Sequence, residues 1–530
     1  MTPDAFSSEA LTSQALLNCL IREVSGPEDQ VRMRGSHAFV RLARSGILLR
    51  ARQSRPSAGL GPRLSGTVCI RETGSWRGVG SAELAGLIAA ELTAASGTAN
   101  PEFAAQVASS QAAIAAIQGG LEPAEDRFLA SEQSLLAGHR FHPAPKARQL
   151  DWLRYAPEAG ARFPLRFLGV RAEVLAGSGD TSALDRLGGP VPPEGFRLLP
   201  AHPWQYQLLA QAPWFGAAMR AGLLADLGTG SRDVVPTSSV RTVYDPLTDV
   251  FCKFSLNVRL TNCVRKSAWY ELAASVILTD LLTPVFDDMG AAVTLLGEPG
   301  YRTAALAARE AYEGLAVIVR DGVAGVSGTP LLAASLTEPA AGLFDRRSPD
   351  WLAGWWLAYV RLVAAPVLRV FFQHGIVLEP HLQNVLIGVD SGDWPVRVVF
   401  RDLEGVKLVT DRHAELLAAL PAGVARGLRY DTRRGWDRVG YCLFVNHLAE
   451  IAAAIADRAP ELELDLWRGA RDELTVIAKE LGWPPQLRAV LAGVPLPAKA
   501  NLRLRWARGA DREAEYVPVP SPFRNLEPGW

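Results

Sequence analysis

The chain has 530 residues, of which 48% are hydrophobic, and its 55 Lys+Arg balance 55 Asp+Glu to zero formal net charge. At about 100–200 residues per domain, this length calls for two to four packed units. Balanced charge argues against a general polyanion-binding surface, because nucleic-acid binders carry a clear cationic excess, so any anion binding here must be local.

Only Lys146, Lys253, Lys266, Lys407, Lys479 and Lys499 are lysines, and all other basic residues are arginines. A GC-rich genome explains the bias most simply. A lysine that persists in such a background still marks a position where a compact ammonium fits and a guanidinium fork does not. Cys19, Cys69, Cys252, Cys263 and Cys442 form no CxxC and no closely spaced even framework, so reduced thiols in a cytoplasmic protein are expected. The opening MTPDAFSSEA has no basic stretch followed by an apolar run, and no secretory signal is expected.

In chain order, a helix is predicted from Ser8 to Glu23, then strand-like runs at Ala38–Leu42 and Gly46–Ala51. Ala-rich helical segments follow near Ala82–Ala95 and Glu102–Ile117. A Gly- and Pro-punctuated middle then holds the clearest strands, and a Trp- and Ala-rich helical part ends the chain. Composition changes gradually and no long linker appears, so packed subdomains are expected at 1–125, 126–340 and 341–530.

Val250–Leu260, VFCKFSLNVRL, alternates strictly, with Lys253, Ser255, Asn257 and Arg259 opposite an apolar set, the pattern of a half-buried antiparallel strand. Ser239–Tyr244 runs into the turn-rich Asp245–Asp249, so a hairpin is predicted. On that register Ser239, Arg241 and Lys253 converge. A hydroxyl, a guanidinium and an ammonium on a rigid sheet suit a triphosphate, although an ordinary solvated strand face alternates in the same way. Beyond the strand, Thr261 or Asn262 is expected to cap a helix over about Cys263–Leu282. Arg265 in its first turn would oppose the helix dipole unless an anion sat there.

Ala353–Phe372 is the most membrane-like stretch, but Arg361, Pro366 and Arg369 interrupt it, and a buried helix is expected. His374–Ile387, HGIVLEPHLQNVLI, is read as a helix end at Gly375 leading into a strand. Val396–Arg401 gives a second strand, followed by Asp402 and Glu404, whose two-residue spacing in extended chain points both carboxylates to one side. With the Asn384 amide they form a hard-ligand set suited to Mg²⁺ shared with nucleotide phosphates. The order echoes kinase-like folds. No GxxxxGK[ST] and no dinucleotide fingerprint is present, so neither a P-loop nor a Rossmann unit is expected. His139-x-x-His142, with His202 or His381, is a weaker zinc candidate because no cysteine or acidic pair stands at ligand spacing. His37, His413 and His447 read as structural.

Seven segments occur in order: GHRFHPAPKAR from Gly138, HPWQYQ from His202, PTSSVRTV from Pro236, KFSLNVRLTNCVRK from Lys253, HGIVLEPHLQNVLI, FRDLEG from Phe400 and PAKANLRLR from Pro497. Together they resemble the NRPS-independent siderophore (NIS) synthetases, the IucA/IucC family. The resemblance implies an α+β fold shaped like a cupped hand. Residues 1–125 would form the thumb, 126–340 the fingers with an antiparallel sheet, and 341–530 a mostly helical, kinase-like palm. It also implies a homodimer; from the balanced charge and the interrupted apolar stretch, neither a nucleic-acid nor a membrane partner is expected.

The implied reaction is ATP- and Mg²⁺-dependent adenylation of a polycarboxylate, with citrate expected, followed by condensation with an amine or hydroxyl and release of AMP and pyrophosphate. Carried over by position, His142, Lys146, Ser239, Arg241, Lys253, Asn384, Asp402 and Glu404 would bind ATP. Asn384, Asp402 and Glu404 would hold Mg²⁺, and Thr261, Arg265, His381 and Lys499 would line the carboxylate side. Arg265, His381 and Lys253 are the implied catalytic residues, and Gln205 and Arg503 fall in matching motifs. Two other hypotheses remain, a kinase-like small-molecule phosphotransferase and a non-catalytic ATP- or siderophore-binding relative. The first is weakened because Ile376-Val377-Leu378-Glu379 lacks the Asp that such kinases place there.

Overall fold

The computed structural model describes all residues except 1–6, 58–59, 120–123, 149–151, 261–262, 339–341, 510–513, 525 and 527–530; at 259–260 and 263–265 it describes the backbone alone. The first helix, Ser8–Leu20, is capped by the Ser7 hydroxyl, which accepts from Ala10 N. Five strands follow as an antiparallel meander: Val31–Arg34, His37–Arg41, Leu48–Arg55, Arg63–Glu72 and Ser75–Val79. Helices Ser81–Ser96 and Phe103–Gln118 complete a core in which Leu16, Val40, Leu49, Ile88 and Phe103 pack with Leu502 and Trp506 from the far end of the chain.

The second layer is an eight-stranded sheet whose neighbours are all antiparallel. Its order is Leu175–Gly179, Gly300–Ala304, Val317–Asp321, Val250–Phe254, Thr242–Asp245, Leu224–Pro236, Phe163–Arg171 and Phe196–Ala201. The expected hairpin is present, with Thr242 opposite Lys253 and Asp245 opposite Val250.

Three local expectations fail. First, Val250–Leu260 is not one half-buried strand. It breaks at Ser255, whose hydroxyl donates to Glu313 O at 2.5 Å and accepts from Ser267 N at 3.0 Å, so the chain bends there. Val250–Phe254 is buried on both faces because the sheet continues on either side and is covered.

Second, no helix starts at Cys263. Leu256–Leu260 and Cys263–Arg265 pair as a second hairpin, and the helix is Trp269–Asp287, where the Glu271 carboxylate accepts from Ala268 N at 2.8 Å. The dipole argument for Arg265 therefore lapses. Third, the strand after Ser239 begins only at Thr242; Thr237–Arg241 is a tight turn.

The carboxyl-terminal part surrounds the 26-residue helix Pro349–His374, which ends at Gly375 with φ +66°. Trp355, Trp356 and Tyr359 are fully buried on it, and both indole N–H groups find carbonyls, on Asp393 and Leu466. This helix and the continuous helical run Thr432–Ala456 are long and apolar enough to cross a bilayer, but both lie mostly within the protein, which accounts for their composition. Beside them a four-stranded sheet is ordered Val293–Leu295, Pro395–Phe400, Val385–Val389, Thr329–Leu332, with a single parallel pair at the Val293–Leu295 edge. The molecule is a mixed α/β fold dominated by antiparallel sheets.

Candidate active site

The eight-stranded sheet, the carboxyl-terminal helical part and the 135–148 loop enclose a cavity of about 1870 Å³. Among the described residues, seventeen lysines and arginines line it against eight aspartates and glutamates, in a chain whose totals are equal. Such a wall raises the local concentration of small anions.

At one end, charges from four parts of the chain interlock. Lys253 is 1% exposed, and its Nζ lies 2.5 Å from Asp402 Oδ1, 3.0 Å from Glu404 Oε2 and 3.9 Å from Glu298 Oε1. Arg241, also buried, pairs with Glu404 and lies 3.4 Å from the Ser267 hydroxyl. Arg320, from the strand beside Lys253, reaches Glu298 at 2.6 Å and Asp402 at 3.4 Å. Three cations thus face three carboxylates, as buried charge requires. Burial opposes ionisation of Asp402, but Lys253, Arg320 and Arg241 outweigh it and hold the carboxyl well below the usual range. Glu404 is likewise brought down to about 2 against burial, by Arg241 and Lys253. Lys253 itself stays charged despite burial because Asp402, Glu298 and Glu404 raise its pKa.

Backbone conformation marks the same place. Val240 has φ +68°, an outlier for a β-branched residue, inside the Thr237–Arg241 turn. The turn is closed by Thr237 Oγ1 donating to Thr242 O at 2.9 Å and by Thr242 N donating to Ser239 Oγ at 3.2 Å. Ser239 therefore faces the cavity from a turn, not from a strand. Asp402 has φ +72° and Leu403–Gly405 is a 3₁₀ turn, so Asp402 and Glu404 converge by a sharp bend and not by extended-chain spacing.

The other predicted residues divide. Asn384, His381, His142 and Lys499 line the same cavity. Asn384 donates to Glu379 O at 3.3 Å, and burial lowers the His381 pKa and favours the neutral ring. Lys146 also lines the cavity, but it is buried and already paired with Glu158; burial lowers its pKa more than Glu158 raises it. Thr261 lies outside the described residues, and of Arg265 only the backbone is described, at the end of the second hairpin. Gln205 is a brace: its amide donates to Gly314 O at 2.9 Å and accepts from Asn257 N at 2.8 Å, fixing that hairpin. Arg503 is exposed and away from the cavity.

His139 and His202 do not form a metal centre. His139 lies 2.8 Å from Asn446 Nδ2 and accepts from Phe141 N, while His202 is fully buried and accepts from Trp204 N. Among the described residues no three His, Cys, Asp or Glu side chains are grouped to hold a metal by themselves. The Asp402, Glu404 and Asn384 donors fit Mg²⁺ in a different sense. They supply two carboxylates and an amide, the partial set that Mg²⁺ takes when phosphate oxygens and water complete its shell.

Several groups at the cavity were not singled out from the sequence. Arg320 follows an apolar run, VIV, that reads as a strand, but nothing local says that this strand lies against Val250–Phe254. Lys407 donates to Glu404 O at 2.9 Å and Val406 O at 3.1 Å, and burial takes its pKa to about 8. Glu271, facing the same cavity, is raised to about 7 by burial and by Glu404. Glu379 lies 3.4 Å from Arg438.

Fold and cavity together give an enclosed pocket with a wall rich in cationic side chains. A model of the IucA / IucC family matches residues 127–338, and one described as a ferric iron reductase FhuF-like transporter matches residues 353–514. The L-2,3-diaminopropanoate–citrate ligase of Staphylococcus aureus (strain NCTC 8325 / PS 47) is 30% identical over 436 residues, 75% of each chain. The rhizobactin siderophore biosynthesis protein RhbC of Rhizobium meliloti (strain 1021) is 28% identical over 450 residues, 76% of each chain. The solved structure of ATP-bound aerobactin synthetase IucA from a hypervirulent pathotype of Klebsiella pneumoniae superimposes with a TM-score of 0.84 at 23% identity, covering 97% of this chain and 99% of that one. The chain belongs to the IucA/IucC family, whose named relatives here are siderophore-biosynthesis proteins and citrate ligases.

Proposed function

We propose that the protein is an ATP-dependent ligase of siderophore biosynthesis that adenylates a polycarboxylate, citrate being expected, and condenses it with an amine or hydroxyl compound. The observation that carries this is the interlocked cluster of Lys253, Arg241 and Arg320 with Asp402, Glu404 and Glu298 at the end of a cation-rich cavity. Without nucleotide these groups are one another's counter-ions. With Mg²⁺ and triphosphate present, the carboxylates gain a cation and the basic groups gain an anion, so each buried charge keeps a counter-charge.

Asp402, Glu404 and Asn384 would hold the metal, which when bound supplies neutralisation and alignment of the phosphates. Lys253, Arg241 and Arg320 hold the phosphate charge, and Ser239 contributes a hydroxyl from its turn. His381 and Lys499, which line the same cavity, would contact the carboxylate together with Arg265. A carboxylate oxygen of the acid attacks the α-phosphorus; the bond to the bridging oxygen breaks and pyrophosphate leaves. The acceptor nitrogen or oxygen then attacks the activated carbonyl carbon, gives up a proton, and AMP departs with the carbon–oxygen bond electrons. Bringing two anions together is the main electrostatic obstacle, and preorganised cations lower it. A cytoplasmic setting is part of this reading; the supply of ATP there and the free thiols of Cys19, Cys69, Cys252 and Cys442 support it.

A screen of carboxylic acids with ATP, Mg²⁺ and hydroxylamine tests this by following pyrophosphate, AMP and hydroxamate. A polycarboxylate-dependent burst of all three is expected. Accumulation of ADP would establish a phosphotransferase instead, and no nucleotide turnover with any acid would leave a binding protein.

A further inference from the structure

Beside the Thr237–Arg241 turn lies another buried ion pair that no motif-based assignment uses. Arg401 Nη1 is 2.6 Å from Glu132 Oε1, with side chains 4% and 0% exposed. Two buried charges facing each other are weak evidence for stability, since a well-packed apolar pair is often as stable. What distinguishes this pair is where its remaining bonds go. Glu132 Oε2 accepts from Ser238 N at 3.0 Å, in the strained turn that presents Ser239 and Arg241. Arg401 Nε and Nη2 donate to Gln383 O at 3.2 and 3.0 Å, between His381 and Asn384. The Gln383 amide reaches back to Ser238 Oγ at 3.4 Å, and Arg401 N donates to Asn384 O at 3.0 Å. Arg401 also directly precedes Asp402.

The turn belongs to the eight-stranded sheet, whereas Gln383 and Arg401 belong to the four-stranded one. Ser238 and Gln383 both line the cavity and touch each other, and the Glu132–Arg401 pair ties the two segments together through a planar fork whose geometry a flexible cation does not reproduce. We infer that Glu132 and Arg401 are positioning residues that set the spacing between the Ser239–Arg241 turn and the His381–Asn384 loop, and thereby the affinity for nucleotide. This rests on the nucleotide reading above. Loosening the clamp displaces the groups that would contact nucleotide, so its signature is weaker ATP binding.

The test compares Arg401→Lys, Glu132→Gln and the double variant with the unaltered protein. For each soluble protein the thermal midpoint is measured, with KM for ATP and for the acceptor and kcat from pyrophosphate release. Arg401→Lys keeps the charge but loses the fork, and Glu132→Gln keeps an oxygen for Ser238 N. Both should raise KM for ATP at least tenfold, with KM for the acceptor unchanged. Arg401→Lys leaves the net charge of the pair unchanged, so its loss reads geometry alone, and the double variant, which lacks both the fork and the carboxylate, should not recover. An unchanged KM for ATP in Arg401→Lys, or a loss confined to thermal midpoint and kcat, would overturn the inference. If the unaltered protein neither turns over nor binds ATP, the nucleotide reading fails first, and titration of each protein with ATP separates that case.

Discussion

Lys253→Met removes the one ammonium at the centre of the ion cluster and replaces it with an apolar chain of similar length. At an effective dielectric of about 20, contacts at 2.5, 3.0 and 3.9 Å amount to roughly 16 kcal/mol of gross attraction. Dehydration of the ammonium and repulsion by Arg241 and Arg320 cancel most of this. Removing one partner of a buried pair costs about 3–5 kcal/mol, since uncompensated charge is left behind. With an unfolding entropy of about 2.1 cal/mol/K per residue, a chain of this length that unfolds cooperatively should lose about 4 °C in thermal midpoint, and more if it unfolds in smaller units.

The same variant makes a sharper statement about the metal. Asp402, Glu404 and Glu298 would then face only two guanidinium groups, so a dication becomes a favourable replacement. Millimolar Mg²⁺ without nucleotide should raise the midpoint of Lys253→Met by several degrees and that of the unaltered protein by much less. Scanning fluorimetry with and without Mg²⁺, using Ca²⁺ and high NaCl as controls, reads this directly. A midpoint within 1 °C of the unaltered protein, or equal Mg²⁺ effects on both, would refute the view that lysine and metal are alternative counter-ions for these carboxylates.

Other predictions follow from the same geometry. Arg426 and Arg429 are exposed at the cavity wall, so kcat/KM for a polycarboxylate should fall with added salt; Arg426→Glu with Arg429→Glu should lower it about tenfold at low salt and flatten the salt dependence without changing kcat. Glu271, with its pKa raised from an unfolded value of 4.5 to about 7, binds its proton more tightly when folded. Its contribution to stability is present below pH 4.5 and is lost as pH rises through 7, so Glu271→Gln should flatten that fall and add up to about 3 kcal/mol at pH 8 in denaturant titrations. Gln205→Leu strands Asn257 N and Gly314 O; it should cost about 1–3 kcal/mol and raise KM for the carboxylate more than KM for ATP, because the brace serves the Arg265 hairpin.

Much of the local structure was legible in sequence because it depends on neighbours within a few residues. Period-two burial in His37–Arg41, the glycine end of Pro349–His374 and the hairpin about Asp245–Asp249 follow from side-chain alternation, the freedom of Gly375 at positive φ and turn chemistry. Ordered motifs were enough to indicate the family and to single out Arg241, Lys253, Asp402 and Glu404, which meet in space. The errors lie where a distant contact outweighs local preference. Ser255 bends the chain because Glu313 O and Ser267 N are there to bond its hydroxyl, and Cys263–Arg265 is a strand because Leu256–Leu260 folds back onto it.

The same division holds for charge. Composition showed a chain with no net charge, which argues against a general anion-binding surface but is silent on how charge is distributed. Folding placed seventeen cations and eight carboxylates around one cavity, set Arg320 beside Lys253 by pairing strands nearly seventy residues apart, and joined Glu132 to Arg401 across 269 positions. Motif spacing acts over a few residues of chain, whereas electrostatics acts over ångströms of space; only the fold converts the first distance into the second.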